Sequence, residues 1–139
     1  MNGSPDDARR DLAGRRTVMI CDDEADILKI YSNFLRRKFN VLTALSGSAC
    51  ISTYKEHQQK GSRVDVLLVD YRLGDMLGDQ VACQIKELDG TRTVLITAYD
   101  LDDDRISSLK ERGCIVGQLR KPISLATLMA QIEKIIGQG

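Results

Sequence analysis

Aromatic rings and histidine are scarce in this sequence, and each shortage removes a class of function. The 139-residue chain has no tryptophan, two phenylalanines and four tyrosines. It therefore offers few rings on which a flavin could stack. His57 is the only histidine and lies in the polar segment KEHQQKG, where we expect a solvated helix end. Catalysis by histidine has little support.

An excess of charge and a long apolar run are also missing. The chain carries 20 basic and 20 acidic residues, so it lacks the basic excess typical of nucleic-acid binding. No apolar run reaches the ~20 residues that a membrane-spanning helix needs. Residues 1–16 are polar and lack the apolar core of a secretory signal. We expect a flexible polar tail over residues 1–16, one domain over residues 17–139, and a cytoplasmic location.

Cysteines at metal-ligand spacing are absent as well. The four cysteines are widely separated, with no C-x-x-C pair and no histidine at ligand spacing. Most lie in apolar segments, where cysteine usually behaves as a small hydrophobic residue. We expect reduced, structural thiols rather than disulfides or zinc ligands at Cys21, Cys50, Cys83 and Cys114.

What the sequence does contain is a regular alternation of two kinds of apolar segment. Short segments rich in β-branched and aliphatic residues predict strands over residues 17–21, 39–44, 64–69, 93–97 and 114–119. Each is followed by a segment with helical spacing, clearest from Ile27 to Leu35 and from Leu125 to Ile136, where Ser124 is placed to cap the helix. Shorter helices are indicated around Tyr54, Ile85 and Leu109.

Five strands alternating with five helices predict the α/β class. The expected architecture is a doubly wound five-stranded parallel sheet with helices on both faces. Right-handed crossovers leave few topologies, and the flavodoxin-like strand order 2-1-3-4-5 is one of them. In such a sheet the functional site lies at the carboxyl ends of the strands.

Polar residues follow four of the five predicted strands. Asp22, Asp23 and Glu24 follow the first, Asp70 follows the third, Thr97 ends the fourth and Lys121 follows the fifth. Each residue alone has an ordinary structural explanation, such as an acidic residue that is favourable at a helix start. Their joint placement is harder to explain in this way, because all these strand ends meet at one edge of a parallel sheet. By contrast, we expect Asp100, Asp102, Asp103 and Asp104 to form only a solvated helix start.

The chemistry of these groups is suited to phosphoryl transfer. Three carboxylates that lie close together repel each other, and one of them must bind a proton unless a cation is present. Mg²⁺ suits a site that offers a few carboxylate oxygens. A lysine, a hydroxyl and a carboxylate able to attack phosphorus complete the set. Because no G-x-x-x-x-G-K loop is present, a nucleoside triphosphate is not the obvious donor.

The same residues stand in motifs that resemble those of the response regulator receiver domains of two-component systems, the family of the bacterial chemotaxis regulator. The motifs are VMICDDE, LLVDYRLGDMLG, VLITAY and LRKPI, and the similarity runs from Thr17 to Ile136. The resemblance implies that Asp70 accepts a phosphoryl group from a phosphohistidine. It also implies that the chain catalyses only its own phosphorylation and dephosphorylation.

The resemblance further implies a role for each remaining site residue. Asp22, Asp23 and Asp70 would hold Mg²⁺, together with the backbone carbonyl of Arg72. Lys121 would pair with a phosphoryl oxygen, and a cis peptide would join it to the following proline. The hydroxyl of Thr97 would move toward the phosphoryl group, which gives Asp70, Thr97 and Lys121 as the expected catalytic residues.

The resemblance also implies partners. These are a sensor histidine kinase or phosphotransfer protein, and a downstream protein that binds the surface of the fourth helix, fifth strand and fifth helix. Neither nucleic acid nor a membrane is expected to bind this domain, whereas a homodimer is left open. The sequence alone does not decide between a stand-alone receiver and one domain of a longer regulator.

The chain departs from the family pattern at two places. The loop after the acceptor usually contains Met-Pro, and here Leu73 and Gly74 predict a more mobile loop. The aromatic residue expected three positions before the lysine is replaced by Gln118, so the usual coupling of a ring to the threonine cannot operate. We hypothesise that Tyr99 and Arg72 flank the phosphoryl site and govern the access of water.

Two alternatives belong to other classes of function. A haloacid-dehalogenase-like phosphohydrolase also uses an aspartate, a threonine and a lysine at strand ends. It requires D-x-D, however, where this chain has Asp22-Asp23-Glu24, and it leaves Asp70 without a role. The other alternative is a receiver that only docks, or a flavin-binding protein of the same topology.

Overall fold

The computed structural model describes residues 14–89, 91–98 and 101–137. Strands and helices alternate along them without exception. The strands are β1 (Thr17–Cys21), β2 (Asn40–Ala44), β3 (Val66–Asp70), β4 (Arg92–Thr97) and β5 (Gly117–Arg120). The helices are α1 (Ala25–Leu35), α2 (Gly47–Gln59), α3 (Gly78–Asp89), α4 (Asp103–Glu111) and α5 (Leu125–Gly137).

All five strands pair in parallel in the order β2-β1-β3-β4-β5, which confirms the predicted sheet. Successive side chains of a strand point to opposite faces, so each strand serves two cores. In β1, Val18 and Ile20 pack in the core beneath α1 and α5, whereas Met19 and Cys21 pack beneath α2 and α3. Every residue of β1 and β3 is buried, because helices cover both faces of the sheet.

The fifth strand begins later than the sequence predicts. The expected strand spans residues 114–119, but β5 spans Gly117–Arg120. The backbone N–H of Cys114 donates to Leu109 O at 2.9 Å, and Gly113 has a φ of 78°. Residues 113–115 therefore close the end of α4, and the chain reaches the sheet at Val116, whose N–H donates to Thr93 O at 2.8 Å. Cys114 and Ile115 pack against the sheet near α4, which explains why this segment is apolar.

The expectation of four free thiols is wrong. Disulfide bonds join Cys21 to Cys50 and Cys83 to Cys114, with Cα–Cα distances of 6.2 and 4.6 Å. All four cysteines lie in the described part of the chain, and none there is free. The winding of the chain brings α2 over the end of β1, and it brings the segment after α4 against α3. Separation along the sequence does not reveal such neighbours.

Two predicted helix starts are confirmed. Ser124 Oγ accepts a hydrogen bond from Thr127 N at 3.0 Å before α5. Asp102 accepts one from Asp104 N at 3.1 Å before α4, so this acidic run caps and begins a helix as expected. Asp100, of the same run, lies outside the described residues.

The predicted tail lies mostly outside the described residues, which begin at residue 14. Its described end is bound to the domain. The guanidinium of Arg15 donates to Arg36 O and Arg37 O, both at 3.0 Å, and Asn40 N donates to Arg16 O at 2.9 Å. Among the helices described, none is both long enough and apolar enough to cross a bilayer.

Candidate functional site

Three aspartates meet at the carboxyl edge of the sheet, as the sequence predicts. Since β1 and β3 are neighbours with Cys21 opposite Val69, Asp22 follows one strand beside Asp70 at the end of the other. Asp22, Asp23 and Asp70 each offer a carboxylate oxygen, and these oxygens lie within 4.8 Å of one another. Asp22 and Asp70 are 2% and 6% exposed, whereas Asp23 faces solvent. The two buried carboxylates are thus placed where their charges need compensation.

Lys121 supplies part of that compensation. Its Nζ lies 3.1 Å from Asp70 Oδ1, 3.5 Å from Asp22 Oδ2 and 3.9 Å from Glu24 Oε1. The backbone holds the residue in place, because Lys121 N donates to Thr97 O at 2.8 Å where β5 ends beside β4. The following peptide bond, Lys121–Pro122, is cis as expected.

Burial and charge shift the ionisation of both partners. Burial raises the pKa of Asp70; the ammonium of Lys121 opposes this, and the charges of Asp22 and Asp23 add to the rise. Burial by itself lowers the pKa of Lys121, but its hydrogen bond to Asp70 and the surrounding carboxylates outweigh burial, so its pKa is raised. Lys121 therefore stays an ammonium, and the carboxylates together exceed its single positive charge.

A cleft of about 310 Å³ opens over Asp70. Arg72 forms part of its wall and is itself exposed, with its guanidinium 5.8 Å from the centre of the Tyr71 ring. Tyr99, the other residue of the water-access hypothesis, lies outside the described residues. The cleft is lined by Asp23, Glu24, Asp70, Tyr71, Arg72, Ala98, Leu101 and Lys121.

Thr97 lies beside this cleft rather than in its described lining. It ends β4, is 1% exposed, and its hydroxyl accepts a hydrogen bond from Gln118 Nε2 at 2.9 Å. Sequence reasoning identified both positions but could not indicate that the two side chains touch.

The loop after Asp70 is closely folded against the acceptor strand. Gly74 has a φ of 83°, a left-handed conformation that proline cannot adopt, and Leu73 N donates to Met76 O at 3.3 Å. A Cβ atom on Gly78 would lie 2.4 Å from the carbonyl oxygen of Asp70. Glycine is therefore required at residue 78 for the loop to return this close to the acceptor. Sequence reasoning missed this residue, and the higher mobility expected of the loop stays a prediction.

Asp75 is a second residue that the sequence did not single out. Its carboxylate oxygens accept hydrogen bonds from Gly47 N at 2.8 Å and Ser48 N at 2.9 Å, at the start of α2. These backbone N–H groups, first that of Ser48 and then that of Gly47, lower the pKa of the Asp75 carboxyl. Asp75 thus attaches the loop after Asp70 to the start of α2. Its role depends on which helix lies beside the loop, and the local sequence does not contain that information.

The donor set is suited to a small hard cation. The described residues bring three carboxylates together without a histidine or thiol ligand among them. Oxygen ligands of this kind, with one side open to solvent through Asp23, suit Mg²⁺, which keeps several of its waters. A divalent ion would also offset the negative charge that Lys121 leaves uncompensated.

Comparison with known proteins agrees with this geometry. The family model described as the response regulator receiver domain matches residues 18–133. The chain belongs to this family. The site described above thus lies in a receiver domain of a two-component response regulator, a family of signalling domains, and the phosphohydrolase and flavin alternatives have no support in these comparisons.

Curated relatives of this receiver domain are distant and longer. The heme response regulator HssR of Staphylococcus saprophyticus is 27% identical over 124 residues, which cover 86% of this chain and 51% of the relative. The sensory transduction protein RegX3 of Mycolicibacterium smegmatis is 25% identical over 124 residues, covering 88% and 51%. The chain spans about half the length of the curated relatives it matches.

Solved structures share the fold. A CheY-like receiver domain protein from Methanospirillum hungatei superposes with a TM-score of 0.78 at 18% identity, covering 90% of this chain and 96% of the other. The CheX-CheY-BeF3-Mg²⁺ complex from Borrelia burgdorferi gives a TM-score of 0.76 at 22% identity, covering 86% and 88%. At these identities the likeness establishes the architecture of the receiver domain alone.

Proposed function

We propose that this receiver domain accepts a phosphoryl group on Asp70 in a Mg²⁺-dependent reaction and later hydrolyses it. One observation carries the proposal. Asp70 stands at the base of an open cleft with the Lys121 ammonium at 3.1 Å and two further carboxylates within 4.8 Å. A structural ion pair alone would not need the additional carboxylates that surround it.

The protein groups divide the chemistry between them. One oxygen of Asp70 attacks phosphorus while the bond from phosphorus to the leaving nitrogen of a phosphohistidine donor breaks, and that nitrogen takes up a proton. Lys121, already beside Asp70, stays within reach of a phosphoryl oxygen once the acyl phosphate forms. Mg²⁺, when bound, offsets negative charge on the transferred group. Asp22, Asp23, Asp70 and the carbonyl of Arg72 are the ligands that we assign to it.

We assign to the hydroxyl of Thr97 the role of contacting the phosphoryl group once Asp70 is phosphorylated. Thr97 stands one residue past Ile96, which is opposite Asp70 in the sheet. Movement of its side chain toward the cleft would let the hydroxyl donate to a phosphoryl oxygen. This would transmit the state of Asp70 to β4, β5 and the adjoining helices.

The partners follow from the same proposal. The donor is a sensor histidine kinase or a phosphotransfer protein in the cytoplasm, and the output is a change in the surface formed by α4, β5 and α5. Val116, which leads into β5, is 48% exposed and offers this surface an apolar contact. The chain is a signalling domain that acts only on its own aspartate and does not turn over external substrates.

A mass measurement tests the proposal. The chain is incubated with Mg²⁺ and acetyl phosphate, and its intact mass is recorded against an Asp70→Asn variant and a sample with excess chelator. We expect a single phosphate adduct only in the wild-type chain with Mg²⁺. The absence of any adduct, or one of equal yield in Asp70→Asn, would contradict the assignment of Asp70. Steady release of phosphate by Asp70→Asn would favour the phosphohydrolase alternative.

A further inference from the structure

The side chain of Gln118 reaches along the sheet to Thr97. In the register of β4 and β5, Gln118 is opposite Leu95, and Thr97 is opposite Arg120. The amide therefore extends two residues toward the carboxyl edge, where Nε2 donates to Thr97 Oγ1 at 2.9 Å. This distance is that of a well-formed hydrogen bond.

The bond holds a buried hydroxyl on one side of the site. Thr97 is 1% exposed and does not contribute to the described lining of the cleft, whereas its neighbour Ala98 does. Leu95 packs with Ile106 and Leu109 of α4, and residues two apart in a strand share a face. The hydroxyl is thus bonded on the face of the sheet that α4 covers.

We propose that Gln118 is a positioning residue that restrains Thr97 in the unphosphorylated domain, and that binding of a phosphoryl group at Asp70 breaks this bond. The inference rests on the proposed function, which requires Thr97 to donate toward the cleft. Its consequence is directional: the restraint opposes phosphoryl binding, so its removal strengthens binding. A role in packing alone predicts no change or weaker binding.

The size of the effect follows from the strength of one bond. The net contribution of a neutral hydrogen bond to stability is modest. Without this bond the Thr97 hydroxyl would be buried without that partner, which would further favour its movement toward the cleft. Replacing Gln118 by methionine keeps the length of the side chain and removes the N–H donor. We expect the affinity of Gln118→Met for a phosphoryl analogue to rise about threefold to tenfold.

Beryllium fluoride with Mg²⁺ is the probe, and its dissociation constant is measured by calorimetry. The variants are Gln118→Met, Thr97→Val and the double variant, with Gln58→Met as the matched control. Gln58 lies near the end of α2, which begins at the carboxyl edge and runs back toward the opposite edge of the sheet. Mg²⁺ alone is titrated in parallel, because its ligands do not include either residue. Its affinity is expected to be equal in all variants.

Three results support the inference together: tighter binding by Gln118→Met, unchanged binding by Gln58→Met, and equal binding by Thr97→Val and the double variant. Equal or weaker binding by Gln118→Met overturns it while the proposed function stands. A gain that persists in the Thr97→Val background also overturns it, since Gln118 would then act without Thr97. Failure of the wild-type chain to bind beryllium fluoride would instead overturn the proposed function and this inference with it.

Discussion

The four carboxylates of the site together carry more negative charge than the ammonium of Lys121 can neutralise. Asp22 and Asp70 are buried, Asp23 and Glu24 stand at the rim, and Lys121 is the ammonium within 4 Å of three of these four. The exposed Asp23 adds charge without any bond to Lys121 among the described ion pairs. This arrangement agrees with the role of Mg²⁺ ligand that we propose for Asp23.

Replacing Asp23 by asparagine should therefore weaken Mg²⁺ binding. We expect the dissociation constant to rise about tenfold or more, because the affinity of a site for a hard cation falls when a negatively charged ligand is replaced by a neutral one. Titration calorimetry with Mg²⁺ measures this directly. Asp26→Asn is the control, since Asp26 is exposed in the first turn of α1 and is not a member of the carboxylate cluster. Equal losses in both variants would mean a general charge effect rather than a lost ligand.

Gly78 gives a second prediction for a single residue. A Cβ atom there would lie 2.4 Å from Asp70 O and 2.9 Å from Tyr71 Cα, and these are backbone atoms that cannot rotate away. We expect Gly78→Ala to lower the free energy of unfolding by about 1–3 kcal/mol, the usual range for overpacking. Urea denaturation provides the measurement.

Gly137→Ala is the matched control for that variant. Gly137 is also helical, and a Cβ atom there would meet nothing within 4 Å. Alanine at such a helical position should leave stability unchanged or raise it slightly. Equal stability of Gly78→Ala and Gly137→Ala would contradict this prediction, because it would mean that the loop after Asp70 can move away from the added Cβ atom without strain.

These residues show what the sequence reveals of the site and what it does not. Asp22, Asp70 and Lys121 were predictable because each lies just after, or close to, the end of an apolar segment that predicts a strand, and the ends of parallel strands meet at one edge. Gly78 and Asp75 were not predictable, since each matters through a contact that only the folded loop makes. Gly78 lies against the backbone of Asp70, and Asp75 binds the start of α2. The Gln118–Thr97 hydrogen bond was equally unpredictable, because it forms only when the long side chain of β5 reaches across to β4.

Among the secondary-structure elements, α3 and α4 are joined by an ion pair. Arg105 of α4 donates to Asp79 in the first turn of α3, and the Asp79 side chain is only 2% exposed. Its other oxygen, Oδ1, has no hydrogen-bond partner in the described part of the protein. The carboxylate of Asp79 thus depends on Arg105 for compensation.

Arg105→Met should therefore destabilise the domain. Removing the guanidinium leaves a buried carboxylate without its partner, and we expect the free energy of unfolding to fall by about 1–3 kcal/mol. Arg112→Met at the exposed end of α4 is the control and should change stability by no more than about 0.5 kcal/mol. Urea midpoints of the two variants are compared. Indistinguishable midpoints would show that solvent already compensates Asp79.

Element types were easier to predict than element ends or pairings. The alternation of short β-branched segments with helical periods led to the correct sheet, because both patterns are local. The predicted start of β5 was wrong, since Cys114 and Ile115 are apolar for packing near α4 rather than for pairing with β4. The prediction of reduced thiols was wrong for a related reason: Cys50 meets Cys21 only after α2 has folded back over the sheet.

At the scale of the whole molecule, the site exists only when the fold is complete. Its residues come from the ends of β1, β3, β4 and β5, which are separated by helices along the chain. An unfolded chain cannot bring Asp22, Asp70 and Lys121 together. A ligand of the site should therefore bind the folded state alone and stabilise all of it.

Thermal unfolding tests this linkage. With Mg²⁺ present and beryllium fluoride at about 100 times its dissociation constant, binding to the folded state adds about 2.7 kcal/mol. For a domain of this size that gain should raise the Tm by roughly 10 °C, and each further tenfold in ligand should raise it again. Asp70→Asn lacks the carboxylate to which we propose that the analogue binds, so its Tm should not respond to beryllium fluoride. An equal rise in that variant would place the binding site away from Asp70. A Tm of the wild-type chain that is independent of ligand concentration would show that the strand ends do not form a working site.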